Sequence, residues 1–125
     1  MPIWSEILRE LGQSGQPPNF DAVRRKYLVS LHRHSGRNVV LYASGWLQRD
    51  APAPLVSIGD EDIQAFMEVS QGLEGTDLDL ILHSPGGSPE SAEAIVTYLR
   101  SRFSNIRVIV PQLAMSAATM IACAA

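Results

Sequence analysis

Three short apolar runs, each followed by a helical pattern, limit most strongly what this chain can fold into. The runs occupy residues 39–43, 78–82 and 106–110 and are rich in Val, Ile and Leu. Apolar runs of this kind predict buried strands, and the first, which is continuously apolar, is expected to be covered on both faces. Strands that alternate with helices predict right-handed crossovers and a mostly parallel sheet, with the second and third strands adjacent. The sequence therefore predicts an α/β domain over residues 37–125.

Two helices are predicted before this domain. Trp4 and Leu8 belong to an apolar stripe at helical spacing, and Asn19 is a suitable N-cap for a second helix that ends near Gly36. Residues 1–36 are therefore expected to form an N-terminal helical arm.

Within the α/β domain, cap residues predict where the helices begin. Asp60 is expected to cap one helix, and Ser88 to cap the next, with Pro89 in its first turn. Residues 45–59 contain two prolines and are expected to form an irregular connection.

Composition excludes several classes of function. A chain of 125 residues with a net charge of −3 can bury a core but offers no general nucleic-acid surface, so no nucleic-acid partner is predicted. A single cysteine excludes an internal disulfide and fits a cytoplasmic protein. Metal-ligand spacings and the dinucleotide fingerprint are absent from the sequence, so neither a metal nor a cofactor is predicted. Membrane association is expected only through segments other than these residues.

A glycine turn follows the second predicted strand, where residues 83–88 read HSPGGS. Ligands of open α/β sheets bind at the carboxyl ends of strands. Gly86 and Gly87 allow a ligand to approach the main chain, and the helix beginning at Ser88 offers unpaired N–H groups. The alternative is an ordinary strand-to-helix turn.

Ser116 follows the third predicted strand and should therefore lie at the same sheet edge. A serine at a helix start is often only a cap. Here its hydroxyl could instead attack a carbonyl carbon, while the N–H groups of Gly87 and Ala117 hold the oxyanion that forms.

These motifs resemble the Clp-peptidase/crotonase superfold, and within it the signal peptide peptidase A-like enzymes and the serine dehydrogenase proteinase family. The resemblance rests on residues 81–88, 108–111 and 114–122. Residues 36–40 and 42–46 also look like the serine dehydrogenase proteinase pattern, so it covers about residues 36–125.

The resemblance implies that residues 37–125 form the N-terminal part of a Clp/crotonase-like fold. It implies a serine peptidase that forms an acyl-enzyme on Ser116, with oxyanion donors at Gly87 and Ala117 and Gly86 supporting the turn. It further implies a peptide or protein substrate and a homo-oligomer.

Two departures from the family pattern bear on activity. Many relatives have glycine where this chain has Ala118, and the family's histidine or lysine base lies past the nucleophile helix, beyond residue 125. His83 stands where relatives often have asparagine and is expected to be structural. The chain is therefore expected to be cut short after that helix begins, and to be inactive as it stands. The alternatives are a non-catalytic peptide-binding or assembly module of the same fold, and a crotonase-like acyl-CoA enzyme.

Overall fold

The computed structural model of the chain describes residues 2–47 and 50–125, which divide into two units, Met1–Gly36 and Arg37–Ala125. The first unit contains helices α1 (Trp4–Gln13) and α2 (Phe20–Ser35). The side chain of Asn19 caps α2 by accepting the N–H of Ala22 at 3.0 Å. Gly36, with φ of 70°, ends α2 in the left-handed conformation that favours glycine. Both predicted helix-end residues of α2 are confirmed.

The second unit is a parallel sheet with helices. Its strands are β1 (Asn38–Ala43), β2 (Asp77–His83) and β3 (Asn105–Ile109), and its helices are α3 (Ala53–Val56), α4 (Asp60–Ser70), α5 (Pro89–Arg102) and α6 (Ala117–Cys123). The strand order is β1-β2-β3 and both pairings are parallel, with Leu80 opposite Val40 and Val108. The predicted pairing of the second and third strands is confirmed. No helix in the described ranges is long and apolar enough to cross a membrane.

The start of α4 differs from its prediction. The N-cap is Gly59, and Asp60 is the first helical residue. The carboxylate of Asp62 accepts the Gly59 N–H at 2.8 Å, which leaves Asp60 to accept the Ser91 hydroxyl at 2.7 Å. Asp60 thus links α4 to α5 instead of capping α4. The connection before it also contains the short helix α3, while its residues 48–49 lie outside the described part of the chain.

The two faces of the sheet are buried to different degrees. Leu78, Leu80 and Leu82 are fully buried on the face where Tyr42 stacks on Phe66 of α4 and where α5 and α6 also pack. On the opposite face, Val39 and Leu41 are half-buried. The prediction that β1 is covered on both faces was wrong for the described residues, because helices α4–α6 lie together on one side.

An ion cluster around a buried carboxylate occupies that opposite face. The Asp79 side chain is fully buried and accepts hydrogen bonds from Arg37 Nε at 2.7 Å and from Arg107 Nε and Nη2 at 2.9 and 2.6 Å. Burial alone would raise the pKa of Asp79, but the hydrogen bonds from Arg107 and Arg37 outweigh it and hold that pKa below its usual value. Asp79 therefore remains charged and ties the strands together.

Asp79→Asn is expected to lower the free energy of unfolding at pH 7 by about 3 kcal/mol, the lower end for a broken buried pair because Arg107 is half exposed. Since folding depresses the Asp79 pKa, the wild-type advantage is complete above the unfolded pKa of about 3.9 and is lost as pH falls through the lower folded value. Urea unfolding of the wild type and of Asp79→Asn, at pH values from 7 to 3, measures the difference in their free energies of unfolding and its loss at low pH.

Asp77→Asn is the matched control. Asp77 is half exposed and lies 3.7 Å from Arg37 Nη1, so its loss is expected to change stability by less than about 0.5 kcal/mol. Equal losses for the two variants would contradict the role assigned to Asp79.

Candidate active site

The glycine turn lies between β2 and α5. Gly86 and Gly87 have φ values of 100° and 152°, which side-chain-bearing residues rarely adopt. The Ser84 hydroxyl accepts the Gly86 N–H at 3.1 Å, and the Ser88 hydroxyl caps α5 by accepting the Ser91 N–H at 3.1 Å. The predicted cap at Ser88, with Pro89 as the first helical residue, is confirmed.

A backbone segment from before α4 supports this turn. Ile58 donates its N–H to the Gly86 carbonyl at 2.8 Å and accepts the Ser88 N–H at 3.0 Å. A Cβ at Gly87 would overlap the backbone of Ile58, so only glycine fits there. The direction of the Gly87 N–H is therefore fixed from both sides, by β2 and by Ile58.

Side chains hold the Ile58 segment in place. Asp62 accepts the Gly59 N–H and, at 3.2 Å, the hydroxyl of Tyr42. Burial, followed by the Asp62 charge, raises the pKa of Tyr42, which keeps its phenol protonated as a donor. Sequence reasoning missed this support. Two features of the sequence could have predicted this support: the apolar Ile58 directly before Gly59, and the acidic first turn of α4.

The loop after β3 brings Ser116 to the glycine turn. Ser84 donates its N–H to the Leu113 carbonyl at 3.0 Å, and Met115 donates its N–H to the Ser84 carbonyl at 3.1 Å. A Cβ at Gly86 would lie 2.7 Å from the Cβ of Ser116, so these two residues are in direct contact. The structure thus brings both predicted site segments together at the carboxyl edge of the sheet.

Ser116 has an unusual backbone conformation for its residue type. Its φ and ψ are 53° and −124°, and it alone among the described non-glycine residues has a positive φ. It occupies the N-cap position of α6 but makes no side-chain cap hydrogen bond, and it is exposed. Strained backbone of this kind is typical of functional sites, including the sharp strand-to-helix turns that present nucleophilic serines.

Two backbone N–H groups near Ser116 have no partner among the residues that the structure describes. Within residues 2–47 and 50–125, neither Gly87 nor Ala117 donates its N–H to a backbone or side-chain acceptor. Gly87 is exposed and Ala117 is buried at the start of α6. Unpaired donors beside an exposed hydroxyl can stabilise an oxyanion.

His83 lies at the same strand end, where its hydrogen bond goes to the loop before Ser116. Its Nδ1 accepts the Leu113 N–H at 3.4 Å, its ring lies 4.4 Å from that of Trp46, and its Nε2 is buried without a hydrogen-bond partner among the described residues. In the part of the chain that the structure describes, no histidine or lysine is hydrogen-bonded to the Ser116 hydroxyl.

Fold and site together define an α/β protein with a strained serine at a strand-to-helix turn facing a glycine turn. The model of the ClpP-like SDH-type serine proteinase family matches residues 56–125. This match spans more than half of the sequence, and the chain belongs to that family. The resemblance to the serine dehydrogenase proteinases is confirmed, and the match includes Ile58 as well as both site segments.

One curated relative is an uncharacterized protein, MJ0137, of Methanocaldococcus jannaschii. It is 48% identical over 48 residues, which make up 38% of this chain and 17% of the relative. The matched part therefore spans about a sixth of that protein's length. No solved structure matches the chain.

Proposed function

We propose that Ser116 is the nucleophile of a serine peptidase site, and that Gly87 and Ala117 supply its oxyanion hole. The observation that carries this proposal is the strained, exposed Ser116, whose side chain does not cap its helix. A serine that served only as a cap would relax to an extended backbone and bond an N–H of the first turn. Contact with Gly86 further supports the proposal, because it sets the serine beside the turn.

The proposed reaction is acyl transfer. The Ser116 oxygen attacks the carbonyl carbon of a peptide bond, and the carbonyl oxygen becomes the oxyanion held by the two N–H groups. The carbon–nitrogen bond then breaks, and the amine leaves with a proton. Water releases the acyl group from Ser116 and restores the hydroxyl. Each oxyanion donor typically contributes about 10²–10³-fold to such a rate.

We assign the general base to residues outside 1–125. A serine hydroxyl is a weak nucleophile unless a neighbouring base accepts its proton. His83 is the basic side chain just before the glycine turn, but its Nδ1 is already engaged and its Nε2 is buried. The present residues thus account for the nucleophile and the oxyanion hole of the proposed site.

The proposed substrate is a peptide or protein segment, and the proposed assembly is a homo-oligomer. Met115, just before α6, and Met120, within it, are exposed. Their apolar side chains favour an apolar peptide segment near Ser116. Sedimentation velocity at micromolar concentrations measures the assembly.

Selective covalent labelling tests the nucleophile. A small fluorophosphonate is expected to modify Ser116 at least about 100-fold faster than any other serine of the chain, because an oxyanion hole and binding together retain about 10³-fold catalysis when the triad is lost. Peptide mass spectrometry locates the adduct. Ser116→Ala should remove it, while Ser101→Ala, which changes another exposed serine, should leave the rate unchanged.

Labelling spread evenly over the exposed serines would refute this assignment. Acyl-CoA binding without a Ser116 adduct would instead indicate the crotonase-like chemistry, whose oxyanion hole needs no nucleophilic serine. Absence of both would indicate the non-catalytic module.

A further inference from the structure

The imidazole of His83 joins the end of β2 to the loop carrying Ser116. His83 lies just before the glycine turn, and its Nδ1 accepts the N–H of Leu113, three residues before Ser116. The two backbone hydrogen bonds between Ser84 and the loop lie beside this contact. Together they engage both the N–H and the carbonyl of Leu113.

The hydrogen bond at Nδ1 also determines the tautomer of the neutral ring. A nitrogen that accepts a hydrogen bond carries no proton, so the neutral imidazole has its proton on Nε2. That Nε2–H is buried, and no described residue accepts it. An unpaired buried donor is unfavourable, and an apolar side chain would avoid the penalty. The hydrogen bond accepted by Nδ1 is therefore the favourable interaction that histidine makes here and that an apolar side chain could not make.

We propose that His83 is a positioning residue for Ser116. The Nδ1 of His83 holds the loop of residues 110–116 against the strand end that carries the glycine turn. The inference rests on the proposed function of Ser116. The packing of the His83 ring, nine-tenths buried against Trp46, fixes the direction of the acceptor. Without the Nδ1 acceptor, the Leu113 N–H loses its partner. The strained backbone of Ser116 then loses one of the contacts that maintain its conformation.

Two substitutions distinguish the role of Nδ1 from that of Nε2. His83→Asn keeps an acceptor close to the position of Nδ1, whereas His83→Gln places its amide near Nε2 and removes the acceptor from Nδ1. The readouts are hydrogen exchange of the Leu113 amide and the rate of fluorophosphonate labelling at Ser116. The Ile95 and Leu99 amides in the core of α5 report whether each variant is folded.

In His83→Gln, Leu113 exchange is expected to rise about tenfold and Ser116 labelling to fall about tenfold, as for the loss of one partly buried hydrogen bond. In His83→Asn both rates should stay within about threefold of wild type. Equal behaviour of the two variants, or an unchanged Leu113 exchange rate in His83→Gln, would overturn the inference. An unreactive Ser116 in the wild-type chain would refute the proposed nucleophile, while Leu113 exchange would still decide whether His83 holds the loop.

Discussion

Gly86→Ala is expected to destabilise the chain by about 3 kcal/mol or more and to slow Ser116 labelling at least about 100-fold. The added Cβ would lie 2.6 Å from the Met115 carbonyl oxygen and 2.7 Å from the Ser116 Cβ, at a φ of 100°. Backbone strain and overpacking each contribute about 1–3 kcal/mol. Movement of Ser116 by about 1 Å can reduce its reactivity 10²-fold. Urea unfolding and labelling rates measure the two effects.

Gly72→Ala is the control for strain without overlap. Gly72 also has a positive φ, of 86°, but a Cβ there meets no atom within 4 Å. Its substitution is expected to reduce stability by about 1–2 kcal/mol and to leave labelling within about twofold of wild type. Similar labelling losses in both variants would contradict the direct packing of Gly86 on Ser116.

Peptide hydrolysis by residues 1–125 is expected to be indistinguishable from that of the Ser116→Ala form. General-base assistance contributes about 10²–10⁴-fold, and no described basic side chain is hydrogen-bonded to the Ser116 hydroxyl. A C-terminally extended form should instead show turnover that depends on Ser116. Release of a fluorogenic leaving group from a short peptide, followed over hours, compares the three proteins.

Robust Ser116-dependent turnover by the 125-residue chain would contradict this prediction. Loss of that turnover in His83→Ala, with the fold retained, would then identify His83 as the base. Slow stoichiometric labelling of Ser116 without turnover is the expected combination, because covalent capture needs one attack and one loss of the hydroxyl proton, whereas hydrolysis repeats proton transfer in every cycle.

Local sequence signals predicted the framework of the α/β unit. Apolar runs located the three strands to within one residue at most ends, and Asn19, Gly36 and Ser88 marked helix ends where they were expected. These signals depend on neighbours in sequence, which is why they succeed. The prediction that Asp60 caps α4 was wrong, because another acidic residue in the first turn of the helix, Asp62, accepts the Gly59 N–H instead.

Features set by distant contacts could not be predicted in the same way. Serine has no intrinsic preference for a positive φ, so the conformation of Ser116 comes from its contact with Gly86 and from the hydrogen bonds between its loop and Ser84. The full burial of Asp79 depends on arginines supplied by two other segments of the chain. The roles of Ser116, Gly87 and Ala117 and the expected self-association stay predictions.

The hydrogen bonds of Ile58 have a consequence for fragment design. Because this residue both donates to Gly86 and accepts from Ser88, one wall of the glycine turn comes from a segment that precedes β2 by a whole helix. A fragment beginning after Gly59 would keep Gly86, Gly87 and Ser116 in its sequence but leave the carbonyl of Gly86 and the N–H of Ser88 without their partners. The shortest piece able to hold this turn therefore starts near Ser57, close to residue 56, where the family match begins.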